Sequence, residues 1–468
     1  MDDVAKPRAN RTPPGPKGLP FLGNLLELKR DPLGFLANCA AAYGDVARLR
    51  LGGQPAYLVN NAKYIESILV TNAGNFVKTA GGTQARPRAA RRAPDLMTWV
   101  RNFPSDGEAW LPDRELAHPD HRERRDIQPA FHAERIESYA AHMVALTVDM
   151  LATWKHGEAR DIHADMTHLS VAIIAKTLFG AEASADAETL AESFRVVIAQ
   201  IVSQMVDPIH FPSFVPTPHQ LRLRKAIRQI EAFLNELIRQ RRNEQHDDFL
   251  SLLLAAHEDK GGAVGENNWR YQAMTVFVAG YETTALTLTW ALYLISQNPD
   301  VEARLLDELH AVLGGRPPSA ADVRKLRYAD MVIKETLRLY PPVWLLGPRV
   351  GVDAFEVGPY RLPAGATVLI SPWVTHRDPR YFAQPEKFDP DRWSEKTNEP
   401  SEKYAYFPFS GGERQCIGKS YATMEAVLLL ATILQGFRLE LVPEARVAPQ
   451  ALVTLQPRRG LPMRVTAL

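Results

Sequence analysis

Residues 409–418 read Phe-Ser-Gly-Gly-Glu-Arg-Gln-Cys-Ile-Gly, and they hold the most sharply defined chemistry in the chain. Adjacent glycines deliver Cys416 to the mouth of a long apolar helix predicted over 421–435. Thiolate is the ligand form of cysteine, and a helix N-terminus favours negative charge there. Gly418 leaves room for backbone N–H groups to approach the sulfur, and such bonds tune a metal bound to it. Arg414 is placed to pair with an anionic group of the same ligand. One cysteine does not suit zinc, which takes several protein ligands. It suits the one-thiolate axial ligation of haem iron. A cysteine ahead of a core helix is by default a buried free thiol. Here Phe409, Gly412, Arg414, Cys416 and Gly418 fill every fixed position of Phe-x-x-Gly-x-Arg-x-Cys-x-Gly, and that reverses the default.

A second constellation lies in the longest helix expected, 267–298, which is apolar around most of its circumference and stops at Pro299. Such a helix is buried and central. Its middle reads Ala279-Gly280-Tyr281-Glu282-Thr283-Thr284, residues that cost helix propensity and, for a buried glutamate, desolvation. Local rules are broken mainly where function requires it. Small Ala279 and Gly280 would let a flat cofactor and dioxygen approach the backbone, and Glu282 with Thr283 could relay protons to that oxygen. A helix kink with polar residues facing solvent is the bland alternative. His121 and Arg125, four apart on one helix face, could offer two donors to a haem propionate, although an exposed charged helix has the same spacing. Glu335 and Arg338 share a helix face ahead of Pro341-Pro342; alone, that is a surface pair worth about 0.2–0.5 kcal/mol.

Together these stretches resemble the cytochrome P-450 superfamily, the haem-thiolate monooxygenases. The decapeptide is similar to the family's cysteine loop, and residues 279–284 to its Ala/Gly-Gly-x-Asp/Glu-Thr-Thr/Ser segment. His121 and Arg125 match Trp/His-x-x-x-Arg, followed by Pro129-Ala130-Phe131. The four motifs occur in the family's order, from Pro14 to the C-terminal β-turn near Leu455. The resemblance implies a mainly α fold with a smaller β region, one catalytic domain over 1–468 with an extended arm at 1–20. It implies haem b bound through Cys416 between the long helix and the cysteine loop. It further implies that Arg414, Arg349, His121 and Arg125 hold the propionates, and that Glu335, Arg338 and Arg392 (in Phe388-Asp389-Pro390-Asp391-Arg392-Trp393) interlock to fix the cysteine loop. Residues 343–347 would run past the cofactor as a strand. His376 tempts as a second iron ligand, but in His-Arg-Asp-Pro it is read as capping or packing a helix start. The reaction implied is insertion of one atom of dioxygen into an apolar molecule such as a terpene, fatty acyl chain or polyketide. Electrons would come from NAD(P)H through a separate acidic ferredoxin or flavodoxin, since two cysteines cannot ligate a cluster and no flavin motif is present. Arg122, Arg124 and Lys419 would steer that partner. A haem-thiolate isomerase, dehydratase or peroxygenase, and a non-catalytic haem sensor, are the alternatives; Glu282-Thr283 counts against them.

Length and composition agree with this reading without producing it. The chain has 468 residues, a formal net charge of +1 and two cysteines, Cys39 and Cys416. Length alone would allow roughly three domains. The charge balance gives no hint of nucleic-acid binding, and the cysteines are too few for a disulfide framework. Residues 1–20 are polar and proline-rich, with no apolar run of signal-peptide or membrane-helix length. Relatives from eukaryotes usually carry such an anchor, so a bacterial, cytoplasmic, monomeric protein without membrane attachment is expected.

Helices are predicted at 31–43, 62–70, 133–154, 162–179, 187–206 and 220–242. A hairpin is expected from 46–51 and 56–59, and short strands across 350–372. Residues 78–120 lose all periodicity and carry the basic run Arg86-Pro87-Arg88-Ala89-Ala90-Arg91-Arg92. A loop of that length is functional or disordered. It is read either as a mobile lid over the substrate or as a surface insertion.

Overall fold

A computed structural model describes residues 12–52, 54–78, 124, 127–180, 189–190, 192–197, 217–243, 248–258, 267–394 and 400–468. The long segment at 78–120, apart from Lys78, and most of the helix expected at 187–206 lie outside them, as do His121, Arg122 and Arg125.

The central helix, Asn267–Ser296, runs through the largest apolar core. Phe277, Ala285 and Leu292 are buried on one face and Leu286 and Trp290 on the opposite one, so its apolar circumference is met on several sides, as expected. It packs most extensively against Ile162–Thr177, and also against Arg327–Leu339 and Lys419–Gly436. It stops at Ser296, two residues short of the sequence expectation. Asn298 folds its amide back to the Leu294 carbonyl at 2.7 Å, and Pro299 opens the next helix, Pro299–Leu313, instead of merely ending this one.

The β region is a five-stranded sheet in the order Val46–Leu51, Gln54–Val59, Thr367–Ile370, Arg349–Gly351, Phe76–Lys78. The first two form the expected hairpin, and Gln54–Val59 then pairs in parallel with Thr367–Ile370. Asp31 caps the helix Pro32–Tyr43 by accepting from the Gly34 N–H at 3.0 Å, with proline in the first turn. The helix expected at 62–70 is Ala62–Glu66 followed by a π-helical turn, Ser67–Thr71.

Residues 343–347 are not a strand. Pro341, Pro342 and Pro348 lack donors, and the segment bends between them, with the Leu346 N–H reaching the Ile370 carbonyl at 2.9 Å. Trp344 anchors the bend through its indole N–H on the Leu452 carbonyl at 2.9 Å. Regular pairing begins at Arg349.

Candidate active site

The cysteine loop is shaped by close approach. At Gly412, with φ +67°, an added Cβ would lie 2.0 Å from the Leu69 carbonyl oxygen of the π-helical turn. At Gly411 it would strike the Tyr404 ring at 2.3 Å. The two glycines let the loop press against the sheet side of the molecule while the Cys416 N–H closes on the Phe409 carbonyl at 2.9 Å. Gly412→Ala should therefore lower stability by about 1–3 kcal/mol and loosen the loop. The midpoint of urea unfolding and the haem content of the purified variant check this; a wild-type midpoint would contradict it.

Cys416 sits two residues ahead of Gly418, the cap of the helix Lys419–Gly436. The residue is exposed overall, yet surrounding protein desolvates its thiol. Burial raises the thiol, while the Gly418 N–H and the Arg124 charge act the other way and favour thiolate. A Cβ on Gly418 would meet Phe131 at 3.7 Å and the sulfur at 4.0 Å, ordinary contacts. Its N–H is in place as expected, but the room its missing side chain leaves is not a strict requirement. Lys419 lies 6.0 Å from the Phe409 ring centre.

Arg349 and Arg414 come together, with the Glu413 charge acting on Arg414. Arg349 is buried, and its guanidinium donates to the Gly347 carbonyl at 2.6 Å. Burial first, then the Arg414 charge, pull it down to about 10. Arg414 is likewise lowered by burial. Among the described residues neither makes a salt bridge. Two neighbouring cations, one buried and neither salt-bridged among the described residues, fit a ligand carrying carboxylates, and the single cysteine fits a metal that takes one thiolate. The residues present thus fit haem.

On the central helix, the Thr283 hydroxyl donates to the Ala279 carbonyl at 2.7 Å and the Thr284 hydroxyl to that of Gly280 at 3.1 Å. Ala279 is exposed. Gly280 instead faces Ile174, whose Cδ1 lies 2.1 Å from where a Cβ would be, so helix packing already accounts for this glycine. Glu282 is buried and turns away from Thr283, as adjacent helix positions must. Its Oε1 accepts from Thr454 at 2.7 Å and from Gln456 at 2.8 Å, in the C-terminal hairpin. Burial raises its carboxyl and these bonds only partly offset that. Thr454 and Gln456 escape sequence reasoning, because nothing local ties a polar pair in a short hairpin to a helix more than 170 residues earlier.

Glu335, Arg338 and Arg392 do interlock. Glu335 and Arg338 are fully buried and joined by two bonds of 2.9 Å. Glu335 also accepts from Arg392 at 2.9 Å, from the Trp393 indole at 2.9 Å and from the Asp389 N–H at 3.0 Å. Arg338 donates further to the carbonyls of His376, Pro385 and Lys387. His376 follows the short helix Pro372–Thr375, at its end and not at a start. Its Nε2 accepts from the Phe407 N–H at 3.0 Å, two residues before the cysteine loop. Burial and the Arg338 and Arg377 charges lower it to about 3, so it is neutral and structural.

Elsewhere, a groove of about 1080 Å³ lies between Ala133–Leu151 and the 317–324 segment. Its lining shares no residue with the cysteine loop or with 279–284.

Comparison with known proteins agrees with this geometry. The cytochrome P450 family model matches residues 13–461. Cyclooctatin synthase of Streptomyces melanosporofaciens is 36% identical over 454 residues, spanning 96% of this chain and 94% of the relative. Pentalenene oxygenase of Streptomyces avermitilis is 33% identical over 456 residues, spanning 97% and 96%. Cyclooctat-9-en-7-ol 5-monooxygenase of Streptomyces melanosporofaciens is 35% identical over 445 residues, spanning 94% and 91%. This chain belongs to the cytochrome P450 family and is a monooxygenase of that family.

Proposed function

We propose that this monooxygenase oxygenates a cyclic terpene hydrocarbon or a terpene alcohol. The observation that carries the substrate class is the near full-length similarity to relatives whose names denote oxygenation of an alkene and of an alkenol. Half-buried Val276 and exposed Ala279, about one turn apart on the central helix, are compatible with such a ligand.

In this reading Cys416 supplies the thiolate to haem b. Arg349 and Arg414, with His121 and Arg125 from outside the described residues, hold the propionates by charge-assisted hydrogen bonds. Haem so ligated supplies the activation of dioxygen, with the thiolate favouring O–O cleavage. The chain's own part is to place protons. Thr283 holds its proton on the Ala279 carbonyl, and Glu282 keeps a carboxyl proton more readily than an exposed glutamate. The two side chains point apart, so a relay between them runs through water. Electrons come from NAD(P)H by way of a separate ferredoxin or flavodoxin. Exposed Lys419, and Arg124, whose charge reaches the sulfur, favour an acidic partner.

The reading is tested by NADPH and dioxygen consumption with surrogate redox partners and a panel of terpenes. Product formation from a terpene supports it; turnover of fatty acids alone would overturn the substrate class. Thr283→Ala should bind substrate normally yet divert most of its electrons into hydrogen peroxide. Coupling of product to NADPH at the wild-type level would remove Thr283 from the proton route.

A further inference from the structure

The helix Leu25–Arg30 buries none of its residues although it carries three leucines. Leu25 and Leu26 are exposed, and the turn ahead of it exposes Leu19, Leu22 and Phe21, the last at 92%. Scattered exposed leucines are normal, whereas five apolar side chains within eight residues form a patch. The patch is held rigidly. Leu19 and Gly23 exchange backbone hydrogen bonds of 2.8 and 2.9 Å, and Asn24 pins the turn to the first strand by bonding both the N–H and the carbonyl of Arg50. Phe21 occupies the left-handed region at φ +62°, which is uncommon for an aromatic residue. A clamped turn that spends backbone strain to hold a phenyl ring in water points to a surface for that ring.

The surrounding charge selects the partner. Lys17 and Arg30 flank the patch in sequence, and Arg48 and Arg50 are exposed on the strand that carries the turn. Against these stand Glu27 and Asp31, and Asp31 is engaged in capping the next helix. A second copy of the chain would bring the same surplus of positive charge and repel. An anionic lipid surface matches both features, taking the apolar tip into the acyl boundary and the basic rim onto the headgroups.

We propose that residues 19–26, with the basic side chains around them, dock the enzyme peripherally on anionic lipid bilayers. Among the described residues no helix is long and apolar enough to cross a membrane, and the docking proposed is interfacial. Composition predicts no membrane contact, because the exposure of these leucines and of Phe21 is visible only in the folded turn. The inference is independent of the terpene reading.

The test is co-sedimentation of the purified holoenzyme with phosphatidylcholine vesicles, with and without 40% phosphatidylglycerol (a composition of about that order suffices). Binding should be at least about tenfold stronger with the anionic lipid and should weaken as salt is raised. The double variant Phe21→Ser, Leu26→Ser should lose about tenfold in vesicle binding while keeping its haem content and its turnover of detergent-dispersed substrate. Arg48→Glu with Arg50→Glu should lose the preference for anionic lipid. Absence of vesicle binding, or binding unaltered in both variants, would overturn the proposal. So would a wild-type dimer, dissolved by the serine variant, that ignores vesicles.

Discussion

Glu335→Ala should lower the free energy of unfolding by about 3–5 kcal/mol, enough to leave little haem-loaded protein. The carboxylate is fully buried and collects donors from Arg338, Arg392, Trp393 and the Asp389 backbone. Removing it strands two guanidiniums inside the protein, and the penalty is the desolvation of those charges more than the loss of any one bond. Glu335→Gln keeps the volume and one acceptor but removes the charge, so it should recover only part of the loss. Urea unfolding of the haem-loaded proteins measures this. A shift below about 1 kcal/mol for the alanine variant would show that the network is weaker than its geometry.

Arg349→Met should have opposite effects on the two forms of the protein. Without haem, Arg349 is a buried cation beside Arg414, and its fall to about 10 corresponds to roughly 3 kcal/mol of unfavourable environment. The Gly347 carbonyl loses its donor in the variant, which returns about 1 kcal/mol. The haem-free variant should thus be more stable than wild type by about 2 kcal/mol. The loaded variant should release haem at least about tenfold faster, because a propionate loses a charge-assisted partner. Urea unfolding of haem-free protein and transfer of haem to an acceptor globin measure the two parts. An unchanged rate of haem loss would place the propionates elsewhere. On the proposed reading, the pair of arginines gives up stability for a binding site.

The features legible in the sequence are those that local chemistry dictates. The Phe409–Gly418 spacing, the polar break at Glu282 and Thr283 in an apolar helix, and the Asp31-Pro32 helix start all declare themselves within a few residues. Long-range partners do not. Glu282 looks like a neighbour of Thr283 on paper, yet one helix position turns it toward Thr454 and Gln456. Gly280 suggests an opening for a cofactor, but its small size is already spent on Ile174 of another helix. Residues 343–347 have strand-like composition, and flanking prolines and the Trp344 anchor bend them instead. Trp393 joins Glu335 from nearly sixty residues away, a pairing that only the folded chain can specify.

The central claim is that Cys416 is the proximal ligand of haem. The most direct test is the absorption spectrum of the reduced protein under carbon monoxide, for wild type and for Cys416→His. Thiolate ligation predicts a strongly red-shifted Soret band in the wild type and its loss in the variant, along with monooxygenation. A wild type without the shifted band, or a variant that retains it, would contradict the account.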